Sequence, residues 1–311
     1  MNTQSTAIPE SRIASQVSAS VAPDPMRLLF WSVRRELWEN RALYIAPLAV
    51  AVLFLAGFLV SLVRYPAKMR AIQALAPMQQ RDAIAQPYEF AAMLMMGVLF
   101  VIAIFYSIDA FQGERRDRSI LFWKSMPVSD LTTVLSKAAI PIVVVPALTF
   151  VFTIAMQWIM LMFSSLVLLT SGISPSTLWT QLQWIPMSFM LLYHLVTGHM
   201  LWYAPIYCWL LLVSAWARRA AILWAFVPMM AIGVIEKLVF NTSYFGGFVE
   251  NRVAGGADIV ESSVRGLAQL SPMTHITPGR FLENPGLWGG LLFGGLFLAA
   301  AARIRRYRGP M

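Results

Sequence analysis

The chain has 311 residues, of which 58% are hydrophobic and 13% charged, and it carries a formal net charge of +9. An average soluble domain is about 25% charged, so a water-soluble fold of this size is excluded: too little polar surface is available to cover its core. The positive balance does not imply nucleic-acid binding, because no basic soluble domain remains to carry it and Lys and Arg collect in the cytoplasmic loops of membrane proteins.

Residues 1–23, "MNTQSTAIPESRIASQVSASVAP", lack the charged start and apolar core of a signal peptide and read as a polar, disordered tail. The next stretch, "DPMRLLFWSVRRELWENRALY", opens with Asp24 and Pro25, an N-cap followed by a pre-set first turn. Met26, Leu29, Phe30, Val33 and Leu37 recur at helical spacing, opposite Arg27, Arg34, Arg35 and Arg41. With Phe30, Trp31 and Trp38 beside them, they predict an interfacial helix over 24–43 whose basic face meets lipid headgroups. A plain extension of the first span is the alternative.

An apolar helix of about 20 residues crosses a hydrocarbon layer of about 30 Å, and backbone groups in lipid must bond one another. On this basis the fold class is an all-α integral membrane protein. Six spans are predicted, at about 44–63, 88–108, 138–170, 187–215, 221–240 and 286–302. The third is too long to stand upright and carries Pro141 and Pro146, which predicts a tilt, a kink or an overshoot. In the sixth, Gly286, Gly290 and Gly294 recur every four residues and permit close helix approach, within one subunit or at a dimer seam. With the N-terminus inside, sixteen Lys and Arg residues fall in inner segments and seven in outer ones, with Lys237 at the end of the fifth span. That asymmetry puts both termini in the cytoplasm.

Several chemistries are missing. The chain has no G-x-x-x-x-G-K-[ST] phosphate loop, no H-E-x-x-H and no G-x-S-x-G, so no ATP site or catalytic centre of those kinds is expected in it. No metal site is expected either, since His194 and His199 are five residues apart and fall on different helix faces. Cys208 is the only cysteine, which rules out an intrachain disulfide. Ion-coupled transporters keep ionisable residues in mid-membrane; here Glu89, Asp109 and Glu236 sit near span ends.

Between the second and third spans lies "GERRDRSILFWKSMPVSD". Glu114, Arg115, Arg116, Asp117 and Arg118 mix signs, which favours specific pairing, and an apolar run with Leu121 and Phe122 is stopped by Pro127. Ser129 can cap the next helix, with Asp130 in its first turn. The product is a short amphipathic hook that suits a protein groove or, equally, a loop with Phe122 and Trp123 at the lipid surface.

This layout and the run "ERRDRSILFWKSMPVS" resemble the permease subunit of an ABC-2 type transporter, with Glu114, Ser119, Leu121, Pro127 and Ser129 at matching positions and Arg118 where the family often has Gly. The resemblance implies an ATP-driven exporter in a bacterial inner membrane. It implies two copies of a separate ATP-binding subunit, which would hold ATP and Mg2+ and dock on Glu114, Arg115, Arg116, Ser119, Leu121, Phe122, Pro127 and Ser129. It further implies a second permease copy, identical or similar, and re-entrant helices within 241–285, for which "DIVESSVRGLAQL" is the candidate. A helix lying on the outer surface fits that stretch as well. The second and fifth spans would line the path, with Phe100, Tyr106, Trp224, Phe226, Met229 and Met230 as wall residues. The rival readings are an ion-coupled secondary transporter, a non-transporting membrane scaffold and an intramembrane enzyme.

Overall fold

The computed structural model describes residues 24–116, 129–253 and 278–307, and all regular structure among them is helical. The tail at 1–23, the hook residues Ser119, Leu121, Phe122 and Pro127, and the candidate re-entrant stretch lie outside the described residues.

Helix α1 (Pro25–Glu39) starts where its capping residue predicts, with Asp24 Oδ1 accepting the Met26 N–H at 3.1 Å. It stops at Asn40, a few residues short of the expected 43, where the Asn40 side-chain amide donates to the Glu36 carbonyl at 3.0 Å. Val33 and Leu37 pack inward, whereas Met26, Phe30, Trp31 and Trp38 are exposed. The inner face also carries Glu36, a residue that hydrophobic periodicity passes over.

Helix α2 (Ala42–Ser61), a 3-10 turn (Leu62–Arg64) and α3 (Tyr65–Gln73) run on as a single rod of 32 residues. Helix α4 (Pro77–Asp109) begins eleven residues before the expected 88. The segment read as a loop between the first two spans is therefore almost wholly helical. Its charges suggest a loop, but Tyr65, Met69, Ile72, Ile84 and Tyr88 form one buried cluster. A helix persists beyond the apolar layer when its own apolar face finds partners.

After α5 (Gln112–Arg116) and the 117–128 connector, α6 (Asp130–Ala139) leads through a π-helical turn (Ile140–Val144) into α7 (Val145–Thr170). Pro141 lies in that turn, where its missing N–H is accommodated by the wider winding. Asp130–Thr170 runs on as one helix of 41 residues, so of the expected tilt, kink or overshoot it is the excess length that is seen. At the far end Gly172 adopts φ +71° and the Ile173 N–H reaches back to the Leu168 carbonyl at 2.9 Å, a left-handed stop that suits glycine. One face of α7 buries Thr149, Thr153, Gln157 and Ser164, and Gln157 donates to the Tyr88 carbonyl at 3.1 Å, joining α7 to α4.

The fourth candidate span departs most from expectation. After the short α8 (Ser176–Gln181), it consists of α9 (Trp184–His194), a π-helical stretch (Leu195–Trp202) and α10 (Ala204–Trp216), and it bends by 43° at the break. Pro205, one residue into α10, removes a backbone donor at the bend. Helix α11 (Ala221–Phe240) has the predicted limits, and α12 (Tyr244–Val253), α13 (Pro278–Glu283) and α14 (Pro285–Tyr307) complete the described chain.

Gly290 and Gly294 are buried on the face of α14 that packs on α10 and α12, so the four-residue stripe serves packing within the chain. A methyl group at Gly294 would stand 3.5 Å from Pro205 Cα. Helix α11 is the opposite case: it buries only Ala221 and Ala225 and exposes apolar side chains over most of its circumference.

Candidate functional site

A buried ion-pair cluster joins four helices at the end of the bundle where the connector begins and ends. Glu36 of α1, Glu114 of α5, Lys137 of α6 and Arg305 of α14 are 1%, 9%, 2% and 8% exposed. Lys137 Nζ sits between two carboxylates, 2.9 Å from Glu36 Oε1 and 3.1 Å from Glu114 Oε1. Glu36 also accepts from the Tyr106 hydroxyl at 2.9 Å and from Arg35 at 3.1 Å. The Phe111 ring lies against both cations, 5.4 Å from Lys137 and 5.7 Å from Arg305. Arg35 continues the network to Glu39 at 3.3 Å, where burial raises the carboxyl above its ordinary range although Arg35 opposes the shift.

Arg305 has the most consequential position. Its Nη1 donates to Glu114 Oε2 at 2.9 Å and its Nε to Asp130 Oδ1 at 3.1 Å. Glu114 precedes the connector and Asp130 follows it, so one guanidinium from the last helix clamps both roots. Arg115 fixes the first root a second time: its Nη1 donates to the Ala215 carbonyl at 3.2 Å, and its Nη2 donates to the Ser214 carbonyl. These are the last carbonyls of α10, where a cation also complements the helix dipole. The second root carries the predicted cap, with Ser129 Oγ accepting the Thr132 N–H at 3.1 Å.

The sequence-derived site residues therefore separate into groups. Glu114, Arg115 and Ser129 meet at the cluster and its margins, with Glu114 and Arg115 turned to internal partners. Phe30, Trp31, Arg34 and Trp38 form an exposed surface of α1, with the Arg34 guanidinium 5.1 Å from the Trp31 ring and 5.0 Å from the Trp38 ring. Arg35, expected on that basic face, turns inward instead. Of the wall candidates, Tyr106 is committed to Glu36, and Phe100 packs on Tyr203 at 4.9 Å between ring centres. Trp224 packs on Trp216 at 4.9 Å, while Phe226 and Met230 are exposed on α11 and Met229 is half-buried. A cleft of about 750 Å³ opens between the starts of α2 and α11 and the end of α4. Of the six wall candidates its lining includes Tyr106 alone.

Sequence reasoning passed over Glu36, Lys137 and Arg305. Lys137 and Arg305 entered only as two of the sixteen inner basic residues, and Glu36 was not singled out. The available signal was a lone Glu on the apolar side of α1 and a Lys inside an amphipathic turn, since such residues are rarely buried without a partner.

At the opposite end, Glu236 accepts from the backbone N–H groups of Tyr244 and Phe245 at 2.6 and 2.9 Å and from Thr242 Oγ1 at 3.0 Å. It caps the start of α12 and ties it to the end of α11. Arg252, at the end of α12, is 7% exposed. It lies 4.3 Å from the Trp202 ring and donates to the Gly286 carbonyl at 2.9 Å. Burial pushes its guanidinium down to about 10. Any side chain at Gly290 would overlap that guanidinium. The two histidines of the fourth span have separate neighbours: His194 Nδ1 is 2.9 Å from the Met190 carbonyl and His199 Nδ1 is 3.4 Å from the Tyr207 hydroxyl. Among the described residues no three His, Cys, Asp or Glu side chains are grouped to hold a metal.

These elements define a class. The chain is all-helical where described, with five helices long and apolar enough to cross a membrane and a sixth if the bent pair counts as one span, as in a multi-pass membrane protein. No protein-family model matches the chain, and no curated protein or solved structure matches it.

Proposed function

We propose that this chain is the membrane-spanning subunit of an ATP-driven exporter, working with a separate ATP-binding subunit that docks on the 117–128 connector from the cytoplasm. The observation that carries the reading is the Arg305 clamp on Glu114 and Asp130. A connector held at both roots cannot absorb a push by flexing at its base. Displacement of its tip passes to α14 through Arg305, to α6 through Lys137 and to α1 through Glu36. Coupling by packed elements with two arrangements needs such stiffness. In this reading Glu114 and Arg115 position the connector from behind, and Phe122 and Trp123 make the contact. A second permease copy would complete the path, and the exposed surface of α1 would rest on lipid headgroups.

The test is purification of the tagged chain in mild detergent, as wild type and as Phe122→Ala with Trp123→Ala, scored for a co-purifying ATPase. Recovery of an ATPase with the wild type and its loss from a variant of unchanged elution profile supports the reading. A wild-type chain that carries no phosphate-loop protein overturns it.

A further inference from the structure

We infer that the cleft of about 750 Å³ between α2, α4 and α11 seats one anionic phospholipid, with an acyl chain between the helices and the headgroup at Arg41, Arg218 and Arg219. The volume is that of a small-molecule site, and the lining is sorted by depth. Asn40, Asp109 and Gln112 stand at the mouth, where α1 and α4 end and α5 begins. Below them the walls are apolar, with Leu43, Ala46, Val101, Phe105 and Leu223. Val101 and Asp109 are eight residues apart on one helix, so at 1.5 Å per residue the apolar part reaches about 12 Å below the mouth. Val101, Phe105 and Leu223 are exposed, which leaves this wall without protein cover. A polar mouth over an open apolar slot fits an amphiphile.

The charge around the mouth selects the headgroup. Arg41 stands between the lining residues Asn40 and Ala42, and Arg218 and Arg219 directly precede the lining residues 220–223. All three arginines are exposed, and none pairs with a carboxylate among the described residues. A guanidinium stays charged in proteins, so three positive charges stand against the single carboxylate of Asp109. Basic pockets between membrane helices take anionic headgroups, and the guanidinium fork matches phosphate. The start of α11 opens on the same mouth with no side chain capping its first N–H groups, which can donate to phosphate oxygens. Helix α11 buries only Ala221 and Ala225. A chain seated between it and α2 gives it a packing partner, so occupancy raises stability. The inference requires only that the chain crosses a membrane. It is independent of the ATPase reading, because binding is measured on the purified chain alone.

The experiment titrates the delipidated full chain in mild detergent with phosphatidylglycerol or with phosphatidylcholine of the same acyl chains. Native mass spectrometry counts bound lipid, and the thermal midpoint follows occupancy. The expected result is one saturable phosphatidylglycerol, bound about tenfold or more tightly than phosphatidylcholine, with a raised midpoint. Arg41→Gln with Arg219→Gln weakens half-saturation about fivefold for each arginine removed, and Asp109→Asn tightens it. Arg303→Gln, which removes an exposed arginine of α14 outside the cleft, leaves it unchanged. Ala42→Trp with Ala46→Trp, one turn apart on α2, narrows the slot and weakens both lipids. Equal half-saturation for the two lipids, as for lipid that merely coats the helices, would overturn the inference. So would an equal loss in Arg303→Gln, or selectivity that survives both the arginine and the tryptophan pairs. Tighter binding of dodecyltrimethylammonium than of phosphatidylglycerol would give the cleft to a cation at Asp109 and overturn it. A self-associated chain that binds neither lipid would give the cleft to a second copy, with the same consequence.

Discussion

Buried charge is handled differently at the two ends of this bundle. At one end Glu36, Glu114, Lys137 and Arg305 each meet an opposite charge within 3.1 Å. At the other, Glu89 and Arg252 meet none within salt-bridge range among the described residues: Arg252 rests on a ring and a carbonyl, and Glu89 faces a void. The first arrangement is closed and stiff, as suits a junction of four helices. The second is looser, with its charges held by a ring, a carbonyl and the rim of a small pocket. A buried ion pair gives little net stability over an apolar pair, but removing one partner is severe, so the two ends should respond differently to losing a charge.

Lys137→Met tests the closed end and should have the largest effect, a destabilisation of about 3 kcal/mol, because it removes the cation shared by Glu36 and Glu114 and leaves the first to Arg35 and Tyr106 and the second to Arg305. Adding Glu36→Gln and Glu114→Gln to the same chain should recover much of the thermal midpoint in detergent. If the single change is mild, the cluster is not dry. By contrast, Glu89→Gln at the open end should cost nothing.

Gly290→Ala sharpens the comparison from the other side. The added methyl overlaps the Arg252 guanidinium, and overpacking of this kind costs about 1–3 kcal/mol. Arg252→Ala in the same chain should relieve that cost, and a double-mutant cycle of thermal midpoints would show coupling between the two positions. Additive effects would mean that Arg252 leaves its seat without penalty.

Ser129→Ala should cost about 1 kcal/mol, the usual value of an N-cap. Hydrogen exchange should rise at the start of α6 while the cluster stays protected. Glu236→Gln should have a small effect, with faster amide exchange at Tyr244 or Phe245 and a nearly unchanged midpoint, since one of the two oxygens that cap these N–H groups survives. A global loss of stability there would make Glu236 part of the core.

Much of this molecule was legible in the sequence because lipid and the helical repeat impose strong local rules. The helix-cap pairs Asp24–Met26 and Ser129–Thr132, the limits of α11, the excess length of the third span and the small-residue face of α14 all follow from short-range patterns. The stretch 64–87 fell between two predicted apolar spans and so counted as a connection, yet its buried face, with Tyr65, Met69, Ile72 and Ile84, keeps α3 and the start of α4 helical. The 43° break of the fourth span went unplaced because hydrophobic periodicity cannot locate a bend, although Pro205 marks the spot. Only the tertiary structure decided which charges are partners. Glu36 and Lys137 are 101 residues apart, and Glu114 and Arg305 are 191 apart. Pairing over such distances depends on how whole helices cross, and residue spacing along the chain carries no record of that geometry.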